Sequence, residues 1–200
     1  NSDTERCPRV LSVNRWANLN IYSSCSAKIL LIDKDRCFHP QRAVTRGDLM
    51  DAIYRGARSP KVKLPARSPF PDVSPKDERY SAYIWAYQNG LTSGWSDGKM
   101  HPEAVASRAT MAAFFYRYFM LTPGRRPSWF RPTTPQDMKP GAPFYTESVW
   151  LHSSVNVDVS FIYKSKDFRP AKIATREELA RVVSMLDMLD TIPNSPYIDD

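Results

Sequence analysis

Apolar side chains recur at helical spacing in three stretches of the chain. Met111, Phe114, Phe115 and Phe119 stand at i, i+3, i+4 and i+8, one stripe of a helix that starts at Ser107. Leu49 and Ile53 begin the same pattern, and Leu179, Val182, Val183, Met185 and Leu186 repeat it. A shorter stretch from Tyr80 to Gln88 gathers aromatics on one face and ends at Asn89-Gly90, a helix stop. Between it and the next helix lie Gly90, Gly94 and Asp97-Gly98, turn chemistry throughout. The pattern predicts a mainly α chain built from helix–loop–helix units.

Self-similarity strengthens that reading. Thr45-Arg46-Gly47-Asp48-Leu49, Ser107-Arg108-Ala109-Thr110-Met111 and Thr175-Arg176-Glu177-Glu178-Leu179 align with one another. Each follows an apolar-x-Pro triplet: Phe38-His39-Pro40, Met100-His101-Pro102 and Phe168-Arg169-Pro170. The step from Pro to Arg is six residues in all three, and Trp16, Trp85 and Trp150 each stand thirteen residues after Asp3, Asp72 and Asp137. From Trp to Pro the distance varies, at 24, 17 and 20 residues, so insertions collect in one loop of each unit. The units fall at 1–60, 68–122 and 133–190, with 191–200 either closing the array or opening a further copy. The connectors over 56–71 and 122–135 are rich in Pro, Arg and Lys, which predicts extended and ordered chain.

A hydroxyl three residues ahead of an acid, just before an apolar stripe, is a capping box. Thr45 with Asp48 and Thr175 with Glu178 fit it, and Ser107 with Thr110 is a weakened copy. The arginines need another account. Arg46, Arg108 and Arg176 sit at the first helical position, where the macrodipole disfavours a cation. A helix N-terminus carries free N–H donors that attract anions, and a guanidinium there suits a carboxylate or phosphate held bidentately. The competing reading makes each arginine a bridge to an acid of a neighbouring unit. The tryptophans carry a similar choice between core and ligand platform, and His39 and His101 read as repeat positions rather than metal ligands.

Net charge is +7, placed unevenly: residues 1–126 hold 20 Lys/Arg against 11 Asp/Glu, and 127–200 hold 8 against 10. A basic surface suits an anionic partner. There is no tight Lys/Arg cluster of the kind that tracks a phosphate backbone, which argues against nucleic acid. No apolar run reaches the ~20 residues that cross a bilayer, so no membrane insertion is expected. The chain begins at Asn1 without an initiator Met, which reads as a fragment or processed product. No phosphate-binding glycine loop, nucleophile elbow or metal-ligand spacing occurs, so neither enzymatic activity nor a cofactor or metal is expected. The three cysteines, Cys7, Cys25 and Cys37, all fall in the first forty residues. Cys25 and Cys37 flank the long loop of the first unit, and a disulfide between them is expected, with Cys7–Cys37 as the alternative.

The second unit carries a resemblance. Phe70-x-Asp72-Val73, Trp85, Asn89-Gly90-Leu91, Gly94, Asp97-Gly98-x-Met100-x-Pro102, Ser107-Arg108-Ala109 and Met111 to Arg117 resemble the S-layer homology family, in its actinobacterial variety. The resemblance implies three repeats closed into a pseudo-threefold spindle. Grooves between the repeats would bind an anionic, often pyruvylated, secondary cell-wall glycan, with the motif arginine as the binding residue. Carried over, that role falls on Arg46, Arg108 and Arg176, with Trp85, Gly94 and Asp97 of unit two and the motif acids Asp48 and Glu178 beside them. Thr110 replaces the acid in unit two, and units one and three lack the Gly-x-x-Gly and Asp-Gly turns. The function implied is extracellular: a non-catalytic module that anchors a larger surface protein to the cell wall. The alternative is a protein–protein module on the same scaffold.

Overall fold

The computed structural model describes residues 25, 28–35, 37–121, 133–153 and 166–190, with side chains of the last helix described as far as 184. Five helices occupy these residues: α1 (Arg46–Gly56), α2 (Tyr80–Gln88), α3 (Arg108–Met120), α4 (Tyr145–Ser153) and α5 (Arg176–Asp190). Among the described residues there is no strand, only three isolated bridges. The chain is mainly helical, and the helix over Tyr80–Gln88 has the bounds that its aromatic run predicts.

Local chemistry starts the motif helices as expected. Thr45 Oγ1 accepts from Asp48 N at 3.1 Å while Asp48 Oδ2 accepts from Thr45 N at 3.0 Å, a complete capping box on α1. Ser107 Oγ accepts from Thr110 N on α3, and Thr175 and Glu178 exchange the same pair of bonds on α5 at 3.3 and 3.4 Å. The apolar stripes then face inward. Leu49, Met50 and Ile53 of α1, Tyr83 and Ile84 of α2, Met111, Phe114 and Phe115 of α3, Leu151 of α4 and Leu179 and Val182 of α5 belong to one continuous buried cluster. α1 packs against α2, α3 and α5, and α3 packs against α4.

Three short segments just before the motif helices join by backbone hydrogen bonds. Val44 N donates to Ala174 O, Ala174 N to Ala106 O, and Ala106 N to Val44 O, at 2.8–2.9 Å, so the bonds run in a closed circuit. The bridges Ala43 with Thr175, Thr45 with Val105 and Ser107 with Ile173 flank it. Each segment contributes a residue that is almost wholly buried: Val44, Ala106 and Ala174.

The recurring Asp and Trp each have a physical role. Asp72 Oδ1 and Oδ2 accept from Met100 N and His101 N at 2.9 and 2.7 Å. Asp137 does the same to Phe168 N and Arg169 N at 2.8 and 2.7 Å. His101, Arg169 and the equivalent His39 all hold positive φ, at 52°, 58° and 51°. The aspartate therefore fixes a left-handed corner ahead of the motif proline. Trp85 packs against Tyr54 with ring centroids 5.7 Å apart, and Trp150 packs against the equivalent Tyr116 at 5.6 Å. Asp3, Trp16 and 191–200 lie outside the described residues.

The first connector is extended and ordered, as its prolines suggest: Tyr54 donates to Pro60 O, Gln88 to Lys63 O and Tyr80 to Pro65 O.

The disulfide differs from expectation. Cys37 is disulfide-bonded, whereas Cys25 carries a free thiol, so Cys25 and Cys37 do not bridge. Cys25 packs its half-buried thiol against the core, and burial pushes its pKa up. Cys7, the one other cysteine, lies outside the described residues.

Candidate functional site

The motif arginines reach to loops distant in sequence rather than along their own helix. Arg46 N donates to Ala104 O and Gly47 N to Pro102 O; Arg108 N donates to Lys172 O and Ala109 N to Pro170 O; Arg176 N donates to Arg42 O and Glu177 N to Pro40 O. The first amides of each motif helix are thus taken by carbonyls of a loop far off in sequence. The expectation of free N–H donors for an external anion is corrected here: the donors are consumed in joining helix starts to distant loops. At Gly47 the approach is close enough that a Cβ would lie 3.0 Å from Pro102 O and 2.8 Å from the Tyr83 hydroxyl.

The side chains follow the same offset, and their charges are compensated unequally. Arg108 Nη2 lies 2.7 Å from Glu178 Oε1, Nη1 donates to Phe168 O, and both charged side chains are 6 % exposed. Burial alone would raise the Glu178 pKa. Hydrogen bonds from Arg108 and Lys172 outweigh it and hold the carboxyl below its ordinary range. Arg176 has Asp33 at 3.4 Å, donates to Leu31 O, and lies 4.6 Å over the Phe38 ring. Asp33 is shared with Arg42, and Arg176 Nε is buried without an acceptor among the described residues. A cleft of about 200 Å³ opens beside it, lined by Asp33, Arg42, Asp48, Asp51 and Arg79 among others. There Arg79 pairs with Asp48 at 2.9 Å.

Arg46 is the exception. It is 8 % exposed, and among the described residues no carboxylate pairs with it. Its Nε donates to Met100 O at 3.2 Å and its Nη2 to Thr92 Oγ1 at 3.0 Å. The guanidinium carbon stands 5.6 Å from the Trp95 ring centroid and 5.4 Å from that of Phe114. Burial, then the like charge of Arg117, press its pKa down from the ordinary arginine value, although a guanidinium stays charged. Asp72 offsets this in part from a distance, but the hydrogen-bond partners among the described residues are neutral, and a buried cation so held is costly and receptive to an anion.

The loop that surrounds Arg46 is the one whose turns were legible in unit two. Gly94 has φ +79°, and a Cβ there would lie 2.8 Å from both Lys99 O and the Phe70 ring, so this turn demands glycine. Asp97 Oδ1 accepts from Lys99 N, and its Oδ2 lies 2.6 Å from His101 Nε2. The His101 ring in turn lies 4.1 Å from that of Trp95, which is 49 % exposed. Arg46, Gly94 and Asp97 are therefore brought together. Arg108, expected beside them, pairs with Glu178 instead. Trp85 is also removed from the solvent-facing set: it is buried between Tyr54 and Tyr118.

Sequence reasoning passed over Trp95, Thr92 and Asp33. An aromatic set among Gly94, Ser96, Asp97 and Gly98 was the available signal for the first. It also missed that Asp35 repeats Asp97: Asp35 Oδ1 accepts from Cys37 N, and its Oδ2 lies 2.6 Å from His39 Nε2. Ligating atoms of Asp35, Cys37 and His39 fall within 4.8 Å of one another, but the sulfur is committed to a disulfide and the carboxylate to the imidazole.

Residues 69–112 match the family model of the S-layer homology domain. A comparison with curated proteins gives no match. S-layer homology domains generally anchor proteins to cell-wall polymers and are characteristic of cell-surface proteins. Among the described residues no helix is long and apolar enough to cross a membrane.

Proposed function

We propose that this chain is a non-catalytic anchoring module whose three helix–loop–helix repeats close into a pseudo-threefold spindle. It binds an anionic secondary cell-wall polysaccharide where Arg46 meets the 92–101 loop. The observation that carries this reading is the unpaired, buried charge of Arg46 beside the exposed ring of Trp95. A carboxylate or phosphate on the glycan supplies the missing countercharge, and a sugar face lies on the indole, whose opposite support is His101. The circuit of hydrogen bonds through Val44, Ala106 and Ala174 supports the spindle, since each unit both gives and receives one bond. The S-layer homology match over 69–112 covers the loop in question. The parent is then a larger extracellular protein held at the cell wall.

The test is a pull-down with protein-free cell-wall sacculi, before and after chemical removal of the secondary polymer. Binding is expected to the intact wall and to disappear with the polymer. Binding that survives stripping of the polymer sinks this reading.

A protein–protein role on the same scaffold has one observation in its favour. Val105 and Ile173, next to the hydrogen-bonded circuit, are 57 % and 49 % exposed. Polar substitution of both would then abolish partner capture and leave wall binding intact.

A further inference from the structure

The stretch between α1 and Asp72 is the most one-sided run of charge in the described part of the chain. From 52 to 71 there are five basic residues and no acid. Arg55 is paired with Asp51 at 2.9 Å. The other four, Arg58, Lys61, Lys63 and Arg67, are exposed, and among the described residues no acid pairs with any of them. Surface lysines and arginines usually stand near acids that moderate their field; these do not.

Nor are they carried on a loose loop. The carbonyls of Pro60, Lys63 and Pro65 are bonded by Tyr54, Gln88 and Tyr80, at 3.0, 2.9 and 3.4 Å. Val62 packs against the core while Lys61 and Lys63 on either side of it stay exposed, the alternation of an extended chain. Successive outward positions of such a chain lie roughly 6–7 Å apart. The strap therefore presents four exposed cations, Arg58 at a left-handed turn and the rest along the strap, on a backbone already held before any ligand arrives. It also leads somewhere. Phe70 at its end lies against Gly94, and Asp72 holds Met100 and His101, so the row runs into the loop that carries Trp95.

We infer that the strap over 58–67 is a second contact for an extended anionic polysaccharide, an electrostatic track that continues the Arg46 site along the outside of α2. This rests on the reading of Arg46 as an anion site and adds the class of ligand: a polymer with repeated negative charge rather than a single charged end group. A glycan is favoured over nucleic acid because the exposed row interleaves no aromatic rings on which bases would stack. The repeated charge can be carboxylate or phosphate.

The experiment titrates the whole chain with polygalacturonate, with poly(glycerol phosphate), with neutral dextran and with single-stranded DNA, over a range of salt concentrations. The variants are R58Q/K61Q/K63Q/R67Q and the charge-keeping R58K/K61R/K63R/R67K. The neutral variant is expected to bind at least one of the two polyanionic polymers about tenfold more weakly, with a shallower salt dependence, while dextran is not bound. The charge-keeping variant is expected to retain both affinity and slope. If the fourfold neutral variant melts lower than the parent chain, K61Q/K63Q replaces it and shows the same loss to a smaller degree. Unchanged affinity in the neutral variants overturns the track, and so does tighter binding of DNA than of either polymer. Arg46→Ala run in parallel keeps the two readings apart. Loss there with no loss in the strap variants removes the track alone, and the opposite result removes the Arg46 site.

Discussion

Arg108 and Glu178, seventy residues apart in the chain, form a buried ion pair with Nη2 2.7 Å from Oε1. The arginine begins α3 and the glutamate closes the capping box of α5, so one pair ties two helix starts together. Removing one partner leaves the other buried without its countercharge, which costs about 3–5 kcal/mol. Arg108→Ala is therefore expected to destabilise the fold by that order, measured as a lowered urea midpoint, with any loss of wall binding following the loss of folded protein. A cation at the first helical position opposes the macrodipole, so what Arg108 adds to stability comes from Glu178 and Phe168 O rather than from its own helix.

The same pair sets a pH dependence. The Glu178 pKa lies below its ordinary value of 4.5, so ionised Glu178 favours the folded state. That contribution is complete above the unfolded value and is lost as pH falls through the folded one. The stability gap between the parent chain and Glu178→Gln should be widest near neutral pH and should close as pH falls below the unfolded value of 4.5 and through the lower folded one. Chemical denaturation at a series of pH values measures it; a constant gap would mean that the carboxylate charge is not what Arg108 stabilises.

Asp72 and Asp137 make matching pairs of bonds to backbone amides, yet only Asp72 holds the loop around Arg46. Each Asp→Ala change should cost roughly 1 kcal/mol, since two bonds are lost while water can reach the more exposed amide of each pair. Binding should separate them. Asp72→Ala loosens Met100 and His101 and weakens polymer affinity under conditions where both variants remain folded, and Asp137→Ala does not.

At the proposed site, Arg46→Ala and Trp95→Ala are expected to reduce polymer affinity by tenfold or more, about 1.4 kcal/mol or above, through loss of the countercharge and of the ring face. Arg176→Ala should have a smaller effect, because Asp33 already offsets that charge. Isothermal titration of the three variants gives the order. An effect of Arg176→Ala larger than that of Arg46→Ala would move the site to the cleft beside Asp33.

Thiol chemistry checks the cysteine assignment. With Cys37 bonded and Cys25 free, alkylation of the unfolded, unreduced chain should add one label, mapped to Cys25, and reduction should raise the number to three.

Much of the local structure was legible because it depends on neighbours in sequence. The cap at Thr45 and Asp48, the stripe from Met111 to Phe119 and the turn at Gly94 all rest on residues within one or two turns of chain. The recurrence of Asp and Trp at fixed distance pointed to a repeated function without revealing it; the bonds from Asp72 to Met100 and His101 supply the reason. The pairing of arginines with loops was not legible. Arg46 meets Thr92 across 46 positions, Arg108 meets Glu178 across 70, and Arg176 meets Asp33 across 143. Local spacing carries no information on which distant loop a side chain enters. Compensation was hidden for the same reason, since three identical motif positions differ only in what the neighbouring loop offers them.

The circuit through Val44, Ala174 and Ala106 has a consequence for which substitutions the chain tolerates. Each member spends its one amide on one neighbour and accepts at its carbonyl from the other, so the circuit closes with three segments and leaves no amide for a fourth. Because these bonds lie between backbone atoms, a change of side chain in any of the three segments leaves donors and acceptors in place. Only proline, which brings no N–H, would open the circuit.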